Sequence, residues 1–282
     1  MSKENSYPDN FIRYIGTGGG RFSMIRQQRG TGGIWIGCRG LSGIIDPGPG
    51  SLAHICAANP TLLSDELDFV MLTHKHVDHS TDANVLIECM TQGGFEKKGT
   101  IIAPSDALFG DDRVIMKYSQ RRAERIHIPR DGSVIDIGNG LAAEAVEHLH
   151  HGVECYGYIF RAPGVPEWGM ISDSRMLPSF AQRYKNCEFI SMNVTFPDRK
   201  KHLDHISIEE AKELLSQLNA KNAVFTHLGA MMTSPEGRHF LEDLDTERTD
   251  VTAARDGMVV DLETHEISFC GENFPASAPW QR

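Results

Sequence analysis

Cysteine is scarce and scattered in this chain. The six residues, at positions 38, 56, 89, 155, 187 and 270, include no Cys-x-x-Cys pair. That argues against a thiolate zinc site and a disulfide frame, so the thiols read as mostly buried. Positive charge is also in deficit. Lys and Arg number 28 against 38 Asp and Glu, for a formal charge of -10. Such a chain lacks the broad basic footprint of a tight nucleic-acid binder. Its basic clusters, Arg121 to Arg125 and Arg199 to Lys201, read as solvated faces. Long apolar runs are missing as well. None reaches the roughly 20 residues of a membrane span, and Met1 to Pro8 has no apolar signal core. The expectation is a cytoplasmic protein with no membrane partner. No Pro/Gly/Ser-rich linker divides the 282 residues. One domain over 1–282 is expected, with the last ten or so residues, including Pro275, Pro279 and Trp280, a surface tail.

What the chain does have is concentrated histidine. Thr73-His74-Lys75-His76-Val77-Asp78-His79 directly follows the apolar run Phe69-Val70-Met71-Leu72. Three imidazoles and a carboxylate at the mouth of a strand are costly unless something binds them. His74 and His76 are two apart, so an extended peptide points both the same way. Asp78 and His79 come next, in the turn, and face a neighbouring position. Imidazole with carboxylate selects zinc, iron or manganese over magnesium or copper–thiolate chemistry.

Strand patterns outnumber helical ones. Strands are expected near 11–15, 32–38, 41–46, 69–72, 100–104, 124–128, 133–137, 141–149, 156–160, 168–172, 187–195, 223–226 and 257–262, with a short one near 265–269. Helices are expected from Ser51 through Asn59, over 80–90, after Ser105, and near 235–244. The clearest covers 207–219, where Ser207 and Glu210 match a capping box and Ile208, Ala211, Leu214, Leu215 and Leu218 make one apolar face. Gly16-Thr17-Gly18-Gly19-Gly20 ends the first strand. The residues after it, Phe22 to Gln28, read as a second strand or irregular backbone. That argues against a dinucleotide fingerprint and for a tight loop approaching a site. Asp46 ends an apolar strand, a placement that suits an acid holding a neighbouring histidine in one tautomer.

The pattern His-x-His-x-Asp-His, with the glycine loop before it and Asp173 and His227 after it, resembles the metallo-beta-lactamase-fold hydrolase superfamily. The resemblance runs from the Gly16 loop to at least His227. It implies an α+β fold, a four-layer αββα sandwich with two sheets between helices and a dinuclear site at one edge. It implies His74 and His76 on one divalent ion, Asp78 and His79 on the other, Asp173 bridging, and His227 completing the second site. Asp46 matches the buried acid that supports the histidine loop. A further histidine completes the first site, and Glu147-His148-Leu149-His150-His151-Gly152 offers three. In the phosphodiesterase branch that the sequence resembles, this ligand lies six residues before a Gly-Tyr strand start; that resemblance implies His151, with His148 and His150 left open. Zinc is the default metal, with manganese or iron compatible.

His205, in Asp204-His205-Ile206-Ser207 before a helix containing Glu210-Ala211, resembles the additional histidine of the ribonuclease Z and cyclic-phosphate phosphodiesterase branch. There it contacts phosphate and assists the leaving group; His202 is a weaker alternative. The glycine loop and Met192-Asn193 before Thr195 point the same way. The expected activity is hydrolysis of a small cyclic nucleotide, cyclic phosphate or short oligonucleotide by a metal-bound hydroxide. Asp78 would orient the hydroxide as well as ligate, and His205, protonated, would serve the leaving oxygen. Arg21 or Arg29 would add positive charge near the glycine loop. No Gly-Pro-rich arm lies between His79 and His151, and the charge is acidic. Both disfavour a ribonuclease Z-like RNA endonuclease and a stable nucleic-acid complex. The same hydroxide serves a carboxylic ester, lactone or thioester hydrolase. A metal-dependent sensor is a further class, and diiron redox chemistry normally adds a flavodoxin module that is not visible here. A homodimer is compatible with the sequence.

Overall fold

Phe69 and Met71 lie in one hydrophobic core, whereas Val70 and Leu72 lie in another. A strand whose successive side chains are both buried must be covered on both faces. The same alternation recurs where Tyr158 and Phe160 share the first core while Ile159 joins a third. Three cores require four layers, and those layers define the architecture.

A computed structural model describes residues 6–273. The expected surface tail with Pro275, Pro279 and Trp280 falls outside the described residues. One eight-stranded sheet runs, in spatial order, Ile267–Phe269, Met258–Asp261, Phe11–Tyr14, Ile34–Cys38, Leu41–Ile45, Phe69–Met71, Thr100–Ile102 and Arg125–His127. A seven-stranded sheet runs Asp250–Ala253, Asn222–Thr226, Phe189–Asn193, Val165–Ile171, Val153–Ala162, Leu141–His150 and Val134–Gly138. The core between the sheets holds Tyr14, Ile36, Phe69, Tyr158, Trp168 and Phe189. Burying each aromatic ring of this set contributes roughly 2–3 kcal/mol. The outer face of the first sheet packs on Leu86, Ile87 and Met90 of the Ala83–Met90 helix. That of the second packs on Leu214 and Leu215 of the Ile208–Leu215 helix. The fold is the α+β, four-layer αββα sandwich of the metallo-beta-lactamase type. No helix among the described residues is long and apolar enough to cross a membrane.

Each sheet carries a parallel block. Leu41–Ile45, Phe69–Met71, Thr100–Ile102 and Arg125–His127 run parallel, as do Val165–Ile171, Phe189–Asn193, Asn222–Thr226 and Asp250–Ala253. Asp46, the histidine motif, Asp173, Thr195 and His227 all leave the carboxyl ends of these strands. In open α/β sheets that is where ligands collect. A backbone bond from Tyr156 N to Thr73 O, 3.0 Å, ties the two sheets together there.

The capping box at Ser207 forms, with Glu210 N donating to Ser207 Oγ and the Glu210 carboxylate accepting from Ser207 N. Two expectations are corrected. Gly20–Arg26 is a helix, yet Phe11–Tyr14 before it pairs antiparallel with both neighbours, so no βαβ dinucleotide unit exists. The single helix expected near 235–244 is instead a short helix Ala230–Thr233 and a 3-10 turn Arg238–Leu241. Ser234-Pro235 separates them, and proline disfavours a helical residue before it.

Candidate metal centre

Asp46 is 3% exposed and ends its strand in the left-handed region, φ 50. Its carboxylate accepts from Thr73 N at 2.7 Å and Thr73 Oγ1 at 2.6 Å. His79 Nδ1 also lies 2.9 Å from Asp46 Oδ2. Because the Thr73 hydroxyl spends its proton on Asp46, it must accept from His74 Nδ1, 3.0 Å away. His74 is thereby fixed as the Nδ1–H tautomer with its Nε2 lone pair bare, and Asp46 keeps a hydrogen on His79 Nδ1 so that Nε2 is the atom a cation would take. His74 Nε2 is buried and has no hydrogen-bond partner.

His76 Nδ1 and His150 Nε2 meet at 3.1 Å, and His74, His76 and His150 bring their ligand atoms within 4.8 Å of one another. His150 donates its Nδ1–H to the Asp204 carbonyl at 2.7 Å, which leaves its Nε2 free. Beside this group, Asp78, His79 and His227 converge in the same way. His79 Nε2 and His227 Nε2 stand 3.1 Å apart, and Asp78 Oδ2 lies 3.4 Å from His227 Nε2. Asp173 Oδ2 lies 3.5 Å from His150 Nε2 and 3.5 Å from His79 Nε2, between the two clusters.

His151 was the expected third histidine of the first cluster, but it is His150 that the structure brings to His74 and His76. His150 ends its strand, and His151-Gly152 form the two-residue turn before Val153, both with positive φ, 44 and 75. A turn of that kind sends its side chains outward. His151 is exposed and sets its Nδ1 3.8 Å from Asp204. It still belongs to an outer group with His150 and His205. His148 is buried on the same strand, but its Nε2 meets the Tyr184 hydroxyl at 3.0 Å, away from both clusters. His202 is exposed.

His205 joins Asp173 and His227 in a further cluster, with His205 Nδ1 3.7 Å from Asp173 Oδ2. Burial holds its imidazole down to about 4. Burial thus favours the neutral ring, whereas the leaving-group role expected from the sequence was conditional on protonation. Arg21 is exposed. Arg29 braces the glycine loop, donating to Thr17 Oγ1 at 3.3 Å and Ala254 O at 2.9 Å.

Two further features show that these residues suit cations. Most rings are built to stay uncharged: burial lowers His76 and His150 to about 4, and His74 well below its usual range. The carboxylates are the exception. Burial alone would raise Asp173 and Asp78, but the histidines around them hold both well below the usual range. Burial would lower His79, yet Asp78, Asp46 and Asp173 outweigh it and raise His79 well above its ordinary value. Three carboxylates thus crowd one imidazole, and divalent cations would offset that buried negative charge with better geometry.

The contacts made by several supporting residues were not read from the sequence, which marked Asn193 and the glycine loop but not their partners. Asn193 Nδ2 donates to Asp173 Oδ1 at 2.8 Å and orients it. Asp256 accepts from Thr17 N at 2.9 Å and Gly30 N at 2.7 Å, which pins the glycine loop. Gly20 N then donates to Asp78 Oδ2 at 3.2 Å. These contacts join segments far apart in the chain, and no local pattern announces them. The His150 assignment did have one, since strand alternation puts 148 and 150 on one face and His-Gly marks the turn.

Residues 44–228 match the family model described as Beta-lactamase superfamily domain. An uncharacterised protein of Methanocaldococcus jannaschii is 26% identical over 260 residues, covering 89% of this chain and 94% of its own. Among solved structures, the metallo-beta-lactamase fold protein YhfI of Bacillus subtilis superposes with a TM-score of 0.72 at 20% identity, covering 89% of this chain and 99% of that one. The short form of human tRNase Z gives 0.69 at 16% identity, covering 89% and 99%. Likeness at these identities extends to the fold and singles out no branch. With more than half its length matched, His74 to His79 and His227 included, the chain belongs to the metallo-beta-lactamase superfamily.

Proposed function

We propose that this chain is a metal-dependent phosphodiesterase acting on a small cyclic nucleotide, cyclic phosphate or short oligonucleotide. His74, His76 and His150 would hold one cation, Asp78, His79 and His227 the second, with Asp173 shared. Zinc is the default occupant, and manganese or iron suits the same mixed nitrogen and oxygen set. When bound, the two cations supply an activated water and neutralise charge on a nonbridging phosphate oxygen. Asp78, held by Gly20 N, would orient that water.

The observation that carries the phosphoryl reading is His205. It stands beside Asp173 and His227, at the margin of both clusters, as a nitrogen donor that neither cation needs. A departing alkoxide is a poor leaving group, and a donor at that oxygen stabilises the charge it develops. The acidic charge of -10 supports a small diester over structured RNA.

Parallel assays of the zinc- and manganese-loaded protein on bis-p-nitrophenyl phosphate, a lactone, a thioester and a precursor tRNA test the reading. Turnover of the phosphodiester with little on the carbonyl substrates is expected. Activity confined to lactones or thioesters would sink it, and efficient precursor tRNA cleavage would replace the small substrate with RNA.

A further inference from the structure

Thr195 lies just past the carboxyl end of the Phe189–Asn193 strand, is 5% exposed, and donates its backbone N–H to Ile206 O at 3.0 Å. Its hydroxyl sits between two imidazoles. Oγ1 is 3.0 Å from His227 Nδ1 and 3.2 Å from His205 Nδ1, and the two rings stack with 20° between their planes. Among the described residues these two nitrogens are the only hydrogen-bond partners of the hydroxyl. One proton and two nitrogens leave few arrangements.

We infer that Thr195 is a positioning residue that couples the ligand tautomer of His227 to the donor tautomer of His205. This rests on the proposed role of His227 as a metal ligand. His227 Nε2 faces His79 Nε2 and Asp78 Oδ2, so a ring that gives Nε2 to a cation keeps its proton on Nδ1. That Nδ1–H faces Thr195 Oγ1 and, at 3.3 Å, Asp173 Oδ1. The hydroxyl cannot donate toward a nitrogen that carries a hydrogen, and a buried hydroxyl left without an acceptor is costly. Its proton therefore goes to His205 Nδ1. His205 is left neutral, with its hydrogen on Nε2. A neutral imidazole N–H is a competent donor to a developing oxyanion. Thr73 plays the matching part across the site, accepting from His74 because it donates to Asp46.

Histidine 15N NMR of the full chain, titrated with zinc alone, reads the tautomers directly. In the zinc-loaded wild type, His227 should be the Nδ1–H tautomer with its Nε2 shifted by metal, and His205 should be a single Nε2–H tautomer. Thr195→Val keeps the shape but removes the hydroxyl, and His205 should then lose that single tautomer while two zinc ions stay bound. Thr195→Ser should restore it. On a phosphodiester substrate kcat should fall about 10- to 100-fold in the valine variant with KM little changed, and serine should recover most of the loss. A His205 Nδ1–H tautomer in the zinc-loaded wild type overturns the inference without any variant, as does a tautomer unaltered by Thr195→Val. If zinc leaves the His227 resonances unmoved, the metal assignment falls and takes this inference with it.

Discussion

Gly19 has no room for a side chain, because a Cβ there would stand 2.2 Å from His227 Nδ1. Gly19→Ala should push His227 off its position, cost about 1–3 kcal/mol from overpacking, and empty the second cation position. Metal analysis and a denaturant melt read the two effects separately. The histidines make a sharper pair. His150→Ala should lose about one cation per chain and most of the activity, whereas His151→Ala should keep both cations. Retention of two cations by the His150 variant would return the ligand role to His151. The candidate ligands His74, His76, Asp78 and His79 were legible because one short peptide carries them all. His151 was chosen on spacing, and spacing cannot report that a His-Gly pair has taken the turn. Thr73 and Thr195 were invisible, because a threonine becomes a tautomer switch only when a distant imidazole meets it.

The loop that carries His205 is held by an element contact. Asp204 accepts from His151 N at 2.8 Å and from Arg175 Nε at 2.8 Å, and its carbonyl takes the His150 proton. One residue thus clamps the hairpin turn and the His205 segment. Burial alone would raise the Asp204 carboxyl, but His151 N and Arg175 hold it below its usual value of 3.8. A depressed carboxylate stabilises the folded state fully above its unfolded pKa and loses that contribution as pH falls through the folded one. Asp204→Asn should lower stability at pH 7 by roughly 0.5–1 kcal/mol, the range for a pair whose arginine is half exposed. Urea melts of variant and wild type should converge at pH below the folded Asp204 pKa, and an unchanged gap would rule out the charge as the cause. At this scale the sequence was readable where signals were local. The Ser207 capping box formed as expected, but Gly20–Arg26 was missed as a helix. It opens on glycines, has no acidic residue in its first turn and gains no side-chain cap.

For the whole molecule, cation binding and fold stability are linked, since the ligands are assembled only when both sheets are in place. Zinc at about 100 times its Kd should stabilise by about 2.7 kcal/mol, raising the melting temperature by roughly 4–6 °C. A chelator should reverse the shift in a calorimeter, and no shift would mean that the clusters bind no cation in the folded state. The four layers were legible through the motif resemblance, which implied them as a whole. Strand order was not: Met258–Asp261 lies beside Phe11–Tyr14, a pairing of chain ends that no local pattern encodes.

That the proposed ligands sit at the carboxyl ends of parallel strands in both sheets also sets the order of events in time. Parallel pairing closes long loops before any contact repays the entropy, so such edges form late. A centre drawing on Asp46, His74, His150, Asp173 and His227 is then absent from the folding transition state. Cations bound there should leave the folding rate nearly untouched and act as a brake on unfolding. The metal centre would thus set how long the native protein lasts and have little influence on how fast it appears.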